Sequence, residues 1–167
     1  MFKLRILQWL IYLPAHIVLI LSRYPLAPLA VLLFSTADKR HLRYLQWLET
    51  LDNDLAGDSG WQNEHIQPGS DPLSDWNRIK WLWRNGGNAV NYRVLGIRYP
   101  VFGANLVNQP IKSWLWVRST DGYWLIRKFI PLFGRYLEIF IGWGLFGEVQ
   151  GRCKFSCTIR VKRSVPV

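Results

Sequence analysis

SWLWVRSTDGYWLIRKFI, residues 113–130, decides the fold. Two apolar runs flank Asp121-Gly122, a strong two-residue turn signal, so the spacing predicts a hairpin of Ser113–Ser119 and Tyr123–Ile130. With that turn Trp114, Trp116 and Arg118 share a face with Leu125, Arg127 and Phe129, and Trp116 falls opposite Arg127 as a cation–π pair. Working outward, Asn91–Tyr99 reads as a strand before the hairpin, and Arg135–Trp143 and Cys153–Lys162 as two after it. The glycines of residues 142–147 mark a bend between the last two. Five closely spaced strands predict an antiparallel sheet or a small open barrel.

Upstream, Asp71-Pro72 reads as a helix start and Asn85-Gly86-Gly87 as its stop. Trp76, Ile79, Leu82 and Trp83 form its apolar stripe. Trp83 is expected in the core and Trp81 at the rim, with the helix covering one face of the sheet. The expected class is α+β: an N-terminal hydrophobic helical hairpin or anchor, then a small antiparallel sheet covered by one or two helices.

Ile6–Ala37 is almost wholly apolar, broken by Arg23 and by Pro14, Pro25 and Pro28. Lys3 and Arg5 precede it, and Lys39, Arg40 and Arg43 follow. A cleaved signal peptide fits poorly, because the apolar region is too long and no small-x-small site follows. One tilted span places Arg23 in or beside the membrane. A hairpin bending near Arg23–Pro28 keeps both basic flanks on the cytoplasmic side and is the favoured reading, with a hairpin buried in a soluble or virion-packed fold as the bland one. Trp9, Tyr12, Arg23 and Tyr24 are the candidate anchor residues. Residues 1–37 then form the anchor and 38–167 a basic, tryptophan-rich body. Asp38–Leu51, with Leu42, Leu45, Leu48 and Leu51 every third residue, reads as an amphipathic helix, interfacial or packed on the core.

The chain carries a net charge of +10, unevenly: +5 over residues 1–48, −7 over 49–75 and +12 over 76–167. A basic surface attracts anionic lipid and nucleic acid alike. In the acidic loop, 49–71, Asp52, Asp54 and Gly57 match a calcium loop at positions 1, 3 and 6, and Asp58 follows. Ala56 at position 5 and Asn63 at position 12 do not match, so these aspartates are weak metal candidates and no tight site is expected. No catalytic or cofactor-binding residue is expected, and no small-molecule substrate. The chain shows no GxxxxGK, HExxH or GxSxG string. Trp114, Trp116, Arg118 and Arg127 form a possible interaction surface. Nucleic acid remains a possible partner, with no RNP-type or helix-turn-helix string to support it. Cys153 and Cys157 lie ~13 Å apart on one strand, beyond disulfide reach, which favours reduced thiols and a cytoplasmic body.

Several strings together resemble a family of uncharacterised small membrane-associated proteins of tailed bacteriophages and prophages. They are the apolar N-terminus, residues 47–61 (WLETLDNDLAGDSGW), Glu64-His65, Trp81-Leu82-Trp83-Arg84-Asn85, Tyr92 with Val94-Leu95-Gly96, Gly142-Trp143 and Gly147. Here Gly86-Gly87-Asn88 follows Asn85 where a Pro- or aromatic-containing string is expected, which puts the turn after the helix in doubt. The resemblance implies a phage origin and a shared scaffold, without an activity. The expected role is a non-enzymatic accessory protein on the cytoplasmic side of the host inner membrane, binding a host or phage protein. The alternatives are a virion-associated structural or ejected protein and a membrane-tethered nucleic-acid-binding protein.

Overall fold

In the computed structural model, residues 1–99, 114–145 and 148–163 are described. Ser113, Phe146 and Gly147, expected at a strand start and in the glycine bend, lie outside them. The architecture is α+β. Helix α1 spans Phe2–Phe34, α2 Ser59–His65, α3 Asp75–Asn85 and α4 Asn88–Arg93. Strands β1 (Ile97–Arg98) and β5 (Arg152–Cys153) pair as one small antiparallel sheet. Strands β2 (Trp114–Arg118), β3 (Trp124–Leu132), β4 (Arg135–Trp143) and β6 (Phe155–Lys162) form the second, in the order β2-β3-β4-β6.

The chain divides into two compact units, one of Met1–His16 with Asn91–Val167 and one of Ile17–Val90. Each takes half of α1.

The expected bend at Arg23–Pro28 does not form: α1 is one unbroken helix. Proline breaks helices partly by orphaning the carbonyl four residues back. Pro28 orphans the Tyr24 carbonyl, and the Trp83 indole Nε1 donates to it at 3.0 Å. The interruption is repaired from a distant part of the chain.

In the sheet unit, residues 2–16 cover one end of one sheet face. Trp9 stacks on Phe155 at 5.5 Å, lies 5.6 Å from Trp124, and donates from Nε1 to the Ser156 carbonyl. His16 bonds Asn91 Oδ1 at 2.9 Å and the Cys157 carbonyl at 3.2 Å. Trp143, fully buried, donates to the Leu95 carbonyl. The expected β2–β3 register is one residue out. Leu115 pairs with Arg127, and Trp116 with Ile126. The loop is three residues, not two: Ser119 N–H donates to the Tyr123 carbonyl, Gly122 N–H to the Ser119 carbonyl, and Gly122 has φ +86°. That is a tight turn closed by a left-handed residue, and a one-residue shift moves a side chain to the opposite face. Arg127 therefore lies across the sheet from Trp114, Trp116 and Arg118, over Phe129 and Phe140 instead. The last expected strand is interrupted at Lys154, giving β5 and β6.

In the other unit, Ala27, Ala30 and Val31 of α1 share a core with Leu48, Trp81 and Leu82. The buried partners of α3 lie in this unit. The helix starts at Asp75 with Ser74 as N-cap, because Asp71 is used in a separate turn that accepts from Leu73 N–H. Trp81, 3% exposed, is its core tryptophan; Trp83 is half-buried and Trp76 exposed. Asp38–Leu51 is no helix, holding only a short 3₁₀ turn at Gln46–Leu48. Asp38 accepts from Thr36 and from Arg40 N–H in a tight turn, and Glu49 accepts from Leu42 N–H. Leu42 and Leu48 are buried without helical spacing. Of the expected strand at Asn91–Tyr99 only Ile97–Arg98 forms, as β1; its first three residues end α4, whose last carbonyls, Tyr92 and Arg93, accept from Arg152. Side chains on the backbone compete here with ladder pairing.

Both cysteines are free thiols. Burial, with the Glu148 carboxylate second, pushes the Cys153 thiol up to about 11, and burial alone raises Cys157. At pH 8 both stay protonated, and thiolate is the reactive form. Cys153 in the native protein is expected to resist a thiol-disulfide reagent such as DTNB and to react within seconds once unfolded. Absorbance kinetics with and without denaturant check this.

Candidate membrane interface

Helix α1 is 33 residues long, about 50 Å at 1.5 Å per residue. It is long and apolar enough to span a membrane. Its two sides differ in cover, not in polarity. The inner side carries Trp9, His16, Leu19, Ala27, Ala30 and Val31, all buried. The outer side carries Leu4, Leu7, Ile11, Val18, Leu21, Leu29, Leu32 and Leu33, all exposed. At 100° per residue these exposed side chains fall within an arc of about 120° from Leu4 to Leu33.

Arg23 projects about 140° from the middle of that arc. Its guanidinium bonds the Arg84 carbonyl at 3.2 Å. The one charge within the apolar run is thus turned away from the outer side, which is free of charge from Leu4 to Leu33. Charges gather at the ends. Lys3 is exposed at the start, and Lys39, Arg40, Arg43, Tyr44 and Trp47 are exposed beyond the end. The Tyr44 ring meets Phe34 edge-on at 5.8 Å. Aromatic rings beside basic residues at the end of an apolar helix suit a membrane–water boundary.

The four expected anchor residues divide. Tyr24 is exposed, with its ring near Trp83. Trp9 is a core residue, and half-buried Tyr12 touches Phe155. Arg23 faces inward. The outer stripe was not legible in the sequence, because both sides of the helix are rich in apolar residues.

The other candidates are structurally engaged. Asp54 pairs with Arg40 at 2.5 Å and accepts from Ala56 N–H, and Asp58 caps α2 through Trp61 N–H. Asp52 lines an open polar cleft of about 460 Å³ with Arg40 and Asp71. Among the described residues no three metal-ligating groups gather. Trp114 and Trp116 are half-buried, Trp116 beside the Phe2 ring; Arg118 is exposed over Phe2. They do not form one surface with Arg127.

A Family of unknown function (DUF7338) matches residues 1–164. No curated protein and no solved structure matches the chain.

Proposed function

The chain belongs to that family of unknown function, and on this premise we propose a non-enzymatic, membrane-attached protein that acts by binding a partner. The carrying observation is the uncharged apolar outer side of α1. Its inner side is occupied by the fold, so lipid can take only the outer side while the fold is intact. The helix then lies in the membrane plane, its exposed leucines at the acyl boundary and its basic ends at anionic headgroups. Both free cysteines favour a cytoplasmic face. The sequence resemblance to phage and prophage proteins favours a phage accessory role at the host inner membrane.

The test is flotation of the full chain with membranes. The parent is expected in the floated fraction. Leu7→Asp replaces an exposed side chain, so melting should be unchanged. Withdrawing one leucine from lipid forfeits about 1.5–3 kcal/mol, about a tenfold to hundredfold loss of partition. A parent chain that stays soluble and monomeric without detergent sinks the proposal. Mass spectrometry of purified particles separates a cell-resident protein from a virion component.

A further inference from the structure

Strands β3 and β4 are joined by two residues, Phe133-Gly134, between the paired Leu132 and Arg135. Both have positive φ, +45° and +72°. Such loops select Asn-Gly or Asp-Gly, because a bulky side chain is strained in the left-handed region. Here the first position is phenylalanine, and it is 99% exposed. It strains the backbone and gains no burial for the fold.

Its surroundings are apolar and basic together. Leu132 and Ile130 precede it on one sheet face and are exposed. Cross-strand pairing puts Ile159 and Val161 of β6 on that same face, also exposed. Residues 2–16 cover the opposite end, at Trp124 and Phe155, and leave this one open. Lys128 and Arg135 flank the apolar side chains on that face, while Arg160 and Lys162 lie on its reverse. The one acid in β3, β4 and β6, Glu138, is buried between Arg127 and Arg160. A protruding apolar tip with Lys128 and Arg135 on its face, neither paired with an acid among the described residues, is complementary to an anionic bilayer.

We propose that this hairpin tip is a second membrane-insertion element, in which Phe133 and Leu132 enter the acyl boundary and Lys128 and Arg135 meet lipid phosphates. It rests on the membrane reading of α1 and adds a site that α1 does not supply.

The test uses the full chain with vesicles of phosphatidylethanolamine and phosphatidylglycerol, against vesicles of phosphatidylcholine alone. The parent is expected to prefer the anionic vesicles. Phe133→Asn suits the left-handed turn, so its Tm should hold or rise while binding to the anionic vesicles falls about tenfold. Phe133→Trp should retain binding. Binding by Phe133→Asn equal to the parent's, while Leu7→Asp loses it, overturns the tip and leaves the α1 reading standing. A parent that binds neither vesicle overturns both. A lowered Tm in Phe133→Asn marks a structural role and overturns the proposal. So does unchanged vesicle binding with loss of a protein partner.

Discussion

Trp81→Ala is expected to destabilise the protein by about 3–5 kcal/mol, the range for emptying a large buried aromatic site. The ring is 3% exposed in the core of the Ile17–Val90 unit, with the Trp61 ring 5.5 Å away. Gly57 lies against both rings, at φ +80°. The chain cannot close over the void there without moving that turn. Trp83→Ala should cost less, about 1–3 kcal/mol, mostly from the unpaired Tyr24 carbonyl that Pro28 cannot serve. Trp76, 58% exposed, should change stability by no more than about 0.5 kcal/mol on replacement by alanine. Urea unfolding of the three variants checks the order. If Trp83→Ala costs as much as Trp81→Ala, the core assignment is wrong.

Glu138→Gln carries the second large effect. The carboxylate is 1% exposed and bound by Arg127 Nε at 2.7 Å and Arg160 Nε at 2.6 Å. Removing one member of a buried ion group costs about 3–5 kcal/mol when its partners are left dry. Arg127 and Arg160 are partly exposed and can turn to water, so about 2–3 kcal/mol at pH 7 is expected. Burial pushes the Glu138 carboxyl up, but the two guanidinium hydrogen bonds outweigh it and hold it below its ordinary 4.5. A lowered carboxyl stabilises the fold fully above that ordinary value and ceases to as pH falls through the lowered one. The gap between parent and variant should therefore be constant from neutral pH to about 5 and close below about 4.5. A gap that widens on acidification would refute this.

Elements whose shape follows from local sequence were legible. The strands at Trp114–Arg118, Trp124–Leu132 and Arg135–Trp143 are short runs rich in aromatic and branched apolar residues that end at glycine or turn residues, and α1 begins and ends close to the bounds of its apolar run. What failed depended on distant partners. The unbroken path through Pro28 needs the Trp83 indole, and the end of α4 needs the Arg152 guanidinium. The hairpin register turned on one residue, because Asp121-Gly122 serves a three-residue loop as readily as a two-residue one. Assigning Trp81 to the rim assumed that α3 faces the sheet; facing α1 inverts which side is inner. The outer side of α1 was hidden because both sides are apolar, so composition could not tell covered from bare. Phe133 was missed although Phe-Gly between two strands is an odd pair for a tight hairpin loop.

The division of α1 between the two units bears on how the protein is made. Its residues 2–16 belong with the segment that begins at Asn91. On the ribosome Trp9, Tyr12 and His16 emerge well before Phe155, the ring all three touch, which follows about 140 residues later. At 5–20 residues per second that interval is about 7–30 s. Throughout it residues 2–16 are bare on their inner side as well as their outer one, and so expose an apolar surface around most of the helix's girth. A chain halted before β6 would stay in that state, prone to aggregate or to lodge in lipid. Completion of the last strand is therefore the event that turns an all-round apolar segment into a one-sided one.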